Sequence, residues 1–380
     1  MIKDWSYNLW KDVLNIRSGR GYKEVISPDG IYPIMGSSGK VMAYADKFIC
    51  EEGTTIVGRK GTIDNPLFIE EKFWNVDTAF GLHANDNLDK RFLYYFCRSF
   101  DFKSMDRGSG RPSLVKSDLL QIEMPIPPLP EQKTIVKILD EAFAKIDQAK
   151  ANIEKNIENA KELLVSYMQD VFSNNVDGKN SESLNDICEL IVDCEHKTAP
   201  TQGTGYPSIR TPNIGFGKLI LENVNLVSEE TYNKWTRRAI PLPGDLILAR
   251  EAPAGNIGEI PENTFVCLGQ RTVLIRPKKD KFISKYLAYL ILSKNVQEKL
   301  LSHSQGATVG HINMRDIRAF KIYNLPELSS QEKIVASINR ILEEVEKIKS
   351  KYNNQIDNLE ELKKSILQKA FAGELTMFKP

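Results

Sequence analysis

The stretch Lys103-Ser104-Met105-Asp106-Arg107-Gly108-Ser109-Gly110-Arg111, with Lys116 just beyond it, sets basic side chains among glycines. Glycine lets backbone amides approach a phosphate, and arginine grips a phosphate or a guanine edge through two parallel hydrogen bonds. Arg59-Lys60 follows the apolar run that begins at Gly53, and Arg250 ends a matching run that begins at Gly244. In the second half, His196-Lys197, Arg210-Thr211-Pro212-Asn213 and Gly215-Phe216-Gly217-Lys218 offer similar chemistry, and Lys234, Arg237 and Arg238 form a further cluster. Any one of these is equally what a solvated surface loop looks like. Their occurrence in both halves favours nucleic-acid binding. The candidate contacts are Arg59, Lys60, Lys103, Arg107, Ser109 and Arg111, then His196, Lys197, Arg210, Asn213, Lys218 and Arg250. The loop Ser304–His311 matches the first basic loop in position and is polar but far less basic.

Other chemistries find little support. Gly36-Ser37-Ser38-Gly39-Lys40 lacks the first glycine of a phosphate loop, and Val41 stands where Ser or Thr would bind magnesium. Cys188, Cys194 and His196 do not have zinc-ligand spacing, so no metal is expected. There is no Asn-Pro-Pro-Phe or Asp-Pro-Pro-Tyr run for base methylation, and no glycine motif for S-adenosylmethionine. Four histidines, His83, His196, His303 and His311, leave few general bases. No catalytic residue is assigned. Asp77 and Glu251 read as surface or capping groups.

Charge argues for local contacts. The chain has 51 Lys and Arg against 50 Asp and Glu, a formal net charge of +1. Residues 1–130 balance at 17 against 17. Phosphate contacts, if made, are few, or partners supply the rest. Five irregularly spaced cysteines fit a reducing cytoplasm. Neither a signal peptide nor a membrane span is expected.

The elements that must carry these loops are repeated. Gln132-Lys133-Thr134-Ile135-Val136 and Gln331-Glu332-Lys333-Ile334-Val335 open two long helical patterns related by a shift of 199 residues without a gap. Gly108–Asp118 matches Gly306–Asp316 ahead of them. Apolar positions step by four and three along Ile135, Leu139, Ala142, Ile146, Ala149, Ile153, Asn156, Ala160, Leu163 and Tyr167. They do the same along Ile334, Ile338, Ile341, Val345, Ile348, Tyr352, Gln355, Leu359, Leu362 and Ile366. This is a coiled-coil seam. Alanines in the first helix face larger residues in the second, so the two halves of one chain are expected to pair. Asn156 and Gln355 either fix the register or sit in water. Leu164 and Leu367 lie beside the seam with Phe143, Ile157, Phe172 and Ile356, a stripe too wide for two helices. It calls for a third surface, the adjoining domain or a partner protein, and Leu164 and Leu367 are the partner-binding candidates. The expected fold is α+β: a globular domain 1–128, a helix 129–173, a second domain 174–328 and a second helix 329–375, a pseudo-two-fold repeat.

The sequence resembles the specificity (S) subunit of type I restriction–modification systems. The resemblance is carried by Pro127-Pro128-Leu129-Pro130-Glu131-Gln132 at the first helix entry and by its weaker echo Leu325-Pro326-Glu327-Leu328-Ser329-Ser330-Gln331-Glu332. Tyr32-Pro33-Ile34-Met35-Gly36, Ile56–Ile63, Asp193–Thr198 and Tyr206–Arg210 look like target-recognition motifs of that family. The resemblance implies a non-catalytic subunit in which each domain reads one half of a split target in double-stranded DNA. It implies an antiparallel helix pair that sets the spacer, and two methylation (M) subunits carrying S-adenosylmethionine docked on it. Restriction (R) subunits would complete the nuclease. The rival readings are a coiled-coil scaffold with two protein-binding domains, and an enzyme acting on nucleic acid.

Overall fold

A computed structural model describes residues 5–175, 177–178, 180–251, 254–302 and 311–375. The chain divides into two compact units. One runs to Glu154 and resumes at Asn353; the other is Lys155–Tyr352.

The first unit contains β1 (Ser6–Leu9), α1 (Trp10–Val13), β2 (Leu14–Ser18), β3 (Tyr32–Met35), β4 (Ala43–Ala45), β5 (Thr54–Gly58), β6 (Leu67–Ile69), β7 (Trp74–Asn75), β8 (Ala79–Ala84), α2 (Lys90–Ser99), α3 (Lys116–Leu119), β9 (Glu123–Ile126) and the start of α4 (Leu129–Val171). Strands order β2-β8-β5-β6 in one sheet and β4-β3-β7 in another, with β1 paired to β9. β5 is buried along its whole length, because Val57 faces the main core and Ile56 a smaller one with Met35, Cys50 and Phe73. A strand covered on both faces loses its polar alternation. Asp89 caps α2 by accepting from the amides of Arg91 and Phe92, satisfying orphan donors of the first turn.

The second unit repeats the plan. It holds β10 (Ser181–Ser183), α5 (Leu184–Ile187), β11 (Cys188–Asp193), β12 (Tyr206–Ile209), β13 (Gly217–Lys218), β14 (Leu226–Val227), α6 (Glu229–Trp235), β15 (Leu246–Ala249), β16 (Ile257–Glu259), β17 (Cys267–Leu268), β18 (Thr272–Pro277), α7 (Ser284–Leu292), α8 (Lys294–Ser302), α9 (Met314–Ala319), β19 (Lys321–Tyr323) and the start of α10 (Leu328–Phe371). The main sheet orders β11-β18-β15-β16-β13, and β14-β12-β17 forms the smaller one.

A buried glutamine joins each domain to its helix in the same way. Gln132 accepts from the Asp89 amide at 2.7 Å and donates to the carbonyls of Asn87 (3.0 Å) and Pro127 (2.9 Å). Gln331 accepts from the Ile283 amide at 2.9 Å and donates to the carbonyls of Lys281 (2.8 Å) and Pro326 (3.0 Å). About two turns further along the long helix, a tyrosine of the domain helix is pinned to it: Tyr95 to Asp140, and Tyr289 to Asn339 at 2.6 Å.

The long helices pair antiparallel inside both units. In the first, Lys150 meets Glu360 at 2.9 Å, and Lys363 pairs with Asp147 with its ammonium over the Phe143 ring. In the second, the Tyr167 and Ser337 hydroxyls lie 2.6 Å apart. Ile135, Leu139, Ile146, Ile338 and Val345 are buried, and Ile153, Ile334 and Tyr352 half-buried. The seam then departs from the expected register. Asn156 and Gln355 are exposed, and Ile157 and Ile356 are half-buried in their place. Leu163 and Leu362 face solvent at 66% and 46% exposure, while Leu164 and Lys363 are buried. In each helix two successive steps of four, Ala149 to Ile153 to Ile157 and Ile348 to Tyr352 to Ile356, make a stutter that rotates the seam by one position. Asn156 and Gln355 therefore sit in water rather than fixing the register.

Leu164 and Leu367 are not free partner contacts. Leu164 packs in the second core with Met168, Phe172 and Ile338, and Leu367 in the first with Phe92 and Phe143. Each is less than one-tenth exposed, worth about 1.5–3 kcal/mol apiece. The third surface called for by the wide stripe is the chain's own globular domain. In the first unit Phe371 of α10 lies on Phe92 and Phe96 of α2, with ring centroids 5.1 and 5.4 Å apart. α10 stops at Phe371, and Gly373 beyond it takes a left-handed conformation.

Candidate nucleic-acid interface

In the first domain the backbone sews three loops together where β5 ends. The amides of Arg59 and Lys60 donate to the Thr78 carbonyl at 2.8 and 3.1 Å, Gly61 to Pro112 at 2.8 Å, and Leu114 to Arg59 at 2.9 Å. Gly61 has φ +88°, and the Arg111 guanidinium lies over it, where a side chain would collide. Arg59 and Lys60 are thus brought to Arg111, which lies 52 and 51 residues further along the chain. The amides of Ser113 and Gly108 donate to Asp106, which closes the glycine loop and holds its carboxyl below the usual range. Arg107 pairs with Asp118 at 3.0 Å and Lys103 with Asp64 at 2.7 Å. Both cations are mostly exposed; such pairs contribute little and exchange readily for another anion. Ser109 is exposed on the loop.

A second feature lies beside this one, and its main residues were passed over in the sequence. Arg17, Arg20, Lys47 and Lys116 line a cavity of about 700 Å³ with Phe48 and Trp74. Arg17 donates to the Ile49 carbonyl at 2.6 Å and Lys116 to the Ile16 carbonyl at 2.7 Å. The Arg17-Ser18-Gly19-Arg20 spacing was the available signal, though Lys47 and Lys116 join it only through the fold.

In the second domain Arg210 and Asn213 lie on the connection that leads into Lys218 of β13. The Asn213 side chain accepts from the Arg210 amide at 3.1 Å, and the Gly215 amide donates to the Lys218 carbonyl at 2.9 Å. The Arg210 stem crosses Gly269. Next to it Gln270 donates to the His196 carbonyl at 3.2 Å and accepts from Thr198 at 3.2 Å. The loop bearing His196 and Lys197 is thereby held beside Arg210. His196 is in the left-handed region at φ 41°, with Nε2 2.9 Å from Asp193.

Arg250 is not available to DNA. It is 6% exposed. One guanidinium nitrogen donates to both Asp193 oxygens at 2.9 and 2.8 Å, Nε to the Ile312 carbonyl at 2.8 Å, and Nη2 contacts His311 at 2.9 Å. Its counterpart Arg59 escapes this fate for a local reason. Ser18 pairs with Phe80 as Asp193 pairs with Val273, so a serine occupies the aspartate position. Arg237 and Arg238 share one acid at the surface, 60% and 47% exposed: Glu195 accepts from Arg237 at 3.1 and 3.2 Å and lies 3.5 Å from Arg238. The loop 304–310 lies outside the described residues.

Asp193, Cys194 and His196 place donor atoms within 4.8 Å of one another. Both Asp193 oxygens already accept from Arg250, and burial pushes the Cys194 thiol up. The set is better suited to a hydrogen-bonded network than to a cation. Among the described residues no helix is long and apolar enough to cross a membrane.

Residues 2–159 and 177–358 match the family model of the type I restriction modification DNA specificity domain. The sequence is 27% identical over 349 residues to the type I restriction enzyme MjaVIII specificity subunit of Methanocaldococcus jannaschii, covering 85% of this chain and 76% of that one. It is 24% identical over 322 residues to the type I restriction enzyme EcoBI specificity subunit of Escherichia coli, covering 77% and 67%. The fold is similar to a chain solved in work on complex assembly and conformational transition of the type I R-M system, with a TM-score of 0.73 at 19% identity and 98% coverage of both. The HsdS subunit from Thermoanaerobacter tengcongensis superposes with a TM-score of 0.54 at 18% identity, again covering 98% of both.

Proposed function

The chain belongs to the type I restriction modification DNA specificity family, and from that premise we propose how its two halves divide the work. Each globular domain reads one half of a bipartite sequence in double-stranded DNA. The paired helices set the spacer between half-sites and hold two methylation subunits. Those subunits carry S-adenosylmethionine and the reacting groups, and restriction subunits complete the nuclease. This chain contributes recognition and no chemical step, and it works in the cytoplasm.

The observation that carries this reading is a contrast within the repeat. The joint between domain and helix is built twice from the same parts, the glutamine clasp and the tyrosine pin. The loops facing outward differ: Arg59 is half-buried and forms no ion pair among the described residues, where Arg250 is buried and paired with Asp193. Common joints with different loops suit one mounting for two different half-sites. Arg59, Lys60, Lys103, Arg107, Ser109 and Arg111 are the contacts proposed for one half-site. His196, Lys197, Arg210, Asn213 and Lys218 are those for the other. α4 has 43 residues, so it spans about 65 Å at about 1.5 Å per residue. That is ample for half-sites about one helical turn, roughly 34 Å, apart.

Leu163 and Leu362 are equivalent under the 199-residue shift and both are exposed. They replace Leu164 and Leu367 as the proposed contacts for two copies of one partner. The test is co-purification with a methylation subunit, followed by methylation mapping with and without this chain. A split methylated motif that disappears with the chain supports the proposal; a motif that persists overturns it.

A further inference from the structure

Among the described residues, none that lines the cavity of Arg17, Arg20, Lys47 and Lys116 is a carboxylate. Among the described residues none of the four forms an ion pair within 4 Å, whereas Arg237, Arg238, Arg250, Arg271 and Arg276 of the other domain all do. Trp74 also lines the cleft, and its indole donates to the Arg20 carbonyl at 3.4 Å. Gly19 lets the Arg17–Arg20 turn press on the next strand connection: an added Cβ would lie 1.8 Å from the Val76 carbonyl oxygen.

Matching hydrogen bonds show what stands at the same places in the second domain. Gly19 donates to Ala79 at the start of β8, and Cys194 donates to Thr272 at the start of β18. Arg17 and Arg20 therefore correspond to Val192 and Glu195. Leu114 donates to Arg59 as Ile312 does to Arg250, so Lys116 corresponds to Met314. Arg318 takes over only the carbonyl contact, donating to Ile191 at 3.0 Å. Three cations of one domain are thus an apolar residue, an acid and a methionine in the other, and the acid captures Arg237 and Arg238.

We infer that this cleft is a binding site for DNA backbone phosphates that the second domain lacks, and that it makes the first domain the salt-sensitive anchor of the complex. The inference rests on the DNA-reading proposal above and adds an asymmetry to it. Four unpaired cations around an open cavity suit the regularly spaced charges of a phosphodiester chain. Phosphate contacts position a protein without reading sequence, so a duplex of random sequence tests them before the target is known.

The experiment measures duplex affinity of the complex as it purifies, across about 50 to 200 mM salt, where log affinity falls by about 0.9 per phosphate contact for each log unit of salt. R20Q/K47Q is expected to make that slope shallower by about 2, since two such contacts are removed. R20K/K47R should keep the native slope, which separates lost charge from lost fold. R237Q/R238Q should make the slope shallower by no more than about 1, because Glu195 offsets one of the two charges. An unchanged slope for R20Q/K47Q overturns the cleft while leaving the DNA-reading proposal standing. An equal loss for R237Q/R238Q overturns the asymmetry. Displacement of the duplex by inorganic phosphate at matched ionic strength marks a small-anion site and overturns the backbone assignment. A native complex without duplex affinity overturns both the cleft and the DNA-reading proposal.

Discussion

Replacing Gln132 with leucine tests the joint between recognition domain and helix. The side chain is fully buried and makes three hydrogen bonds, to the Asp89 amide and to the carbonyls of Asn87 and Pro127. Leucine fills much of the same volume but leaves those backbone groups without a partner and out of reach of water. At about 1 kcal/mol net for each bond, the expected loss is about 3 kcal/mol. Gln331→Leu should cost the same, since its three bonds are of equal length to within a few tenths of an ångström. Denaturant unfolding of the full chain gives the loss. Amide hydrogen exchange locates it, at Asp89 for one variant and Ile283 for the other. In DNA binding, the variant should lose preference for a fixed spacer before it loses preference for a half-site. A loss under about 1 kcal/mol, or exchange protection at Asp89 equal to the native chain, would refute the clasp.

Arg250→Ala should destabilise the second unit by about 3 kcal/mol, because it removes charge-assisted hydrogen bonds to the half-buried Asp193 carboxylate and one to the Ile312 carbonyl, whereas Arg59→Ala should weaken DNA binding and leave the melting transition in place. Leu164→Asp should unfold its core, while Leu163→Asp should fold and lose partner binding in a pull-down; the reverse pattern would restore the simple heptad. Burial lowers the His83 pKa from 6.5 to about 4, with the Arg17 charge adding to it. The unfolded chain therefore takes up a proton first, so His83 contributes stability above pH 6.5 that is lost as pH falls toward about 4. Stability measured across that window should fall less in His83→Asn.

Much of the fold was legible because its signals are local. The 199-residue repeat, the buried run ahead of Arg59 and the matching run ahead of Arg250 each declare an element within a few residues. The stutter was not legible. Asn156-Ile157 and Leu163-Leu164 each offer two neighbouring candidates, and for the second pair it is packing in the core with the globular domain that selects Leu164. Arg250 was misread for the opposite reason. Its run looks like that of Arg59, and the difference is a serine or aspartate on another strand, 57 residues earlier in the case of Asp193. The basic cleft is assembled from Arg17, Lys47 and Lys116, residues that no single window of sequence contains.

The central claim is that each domain reads its own half-site through its own loops on a shared mounting. It is tested most directly by exchanging residues 1–128 for the corresponding domain of a relative and mapping methylated sites genome-wide. The expected result is a new split motif in which one half changes while the other half and the spacer stay as they were. Methylation that changes in both halves, or keeps the original motif, would contradict the claim.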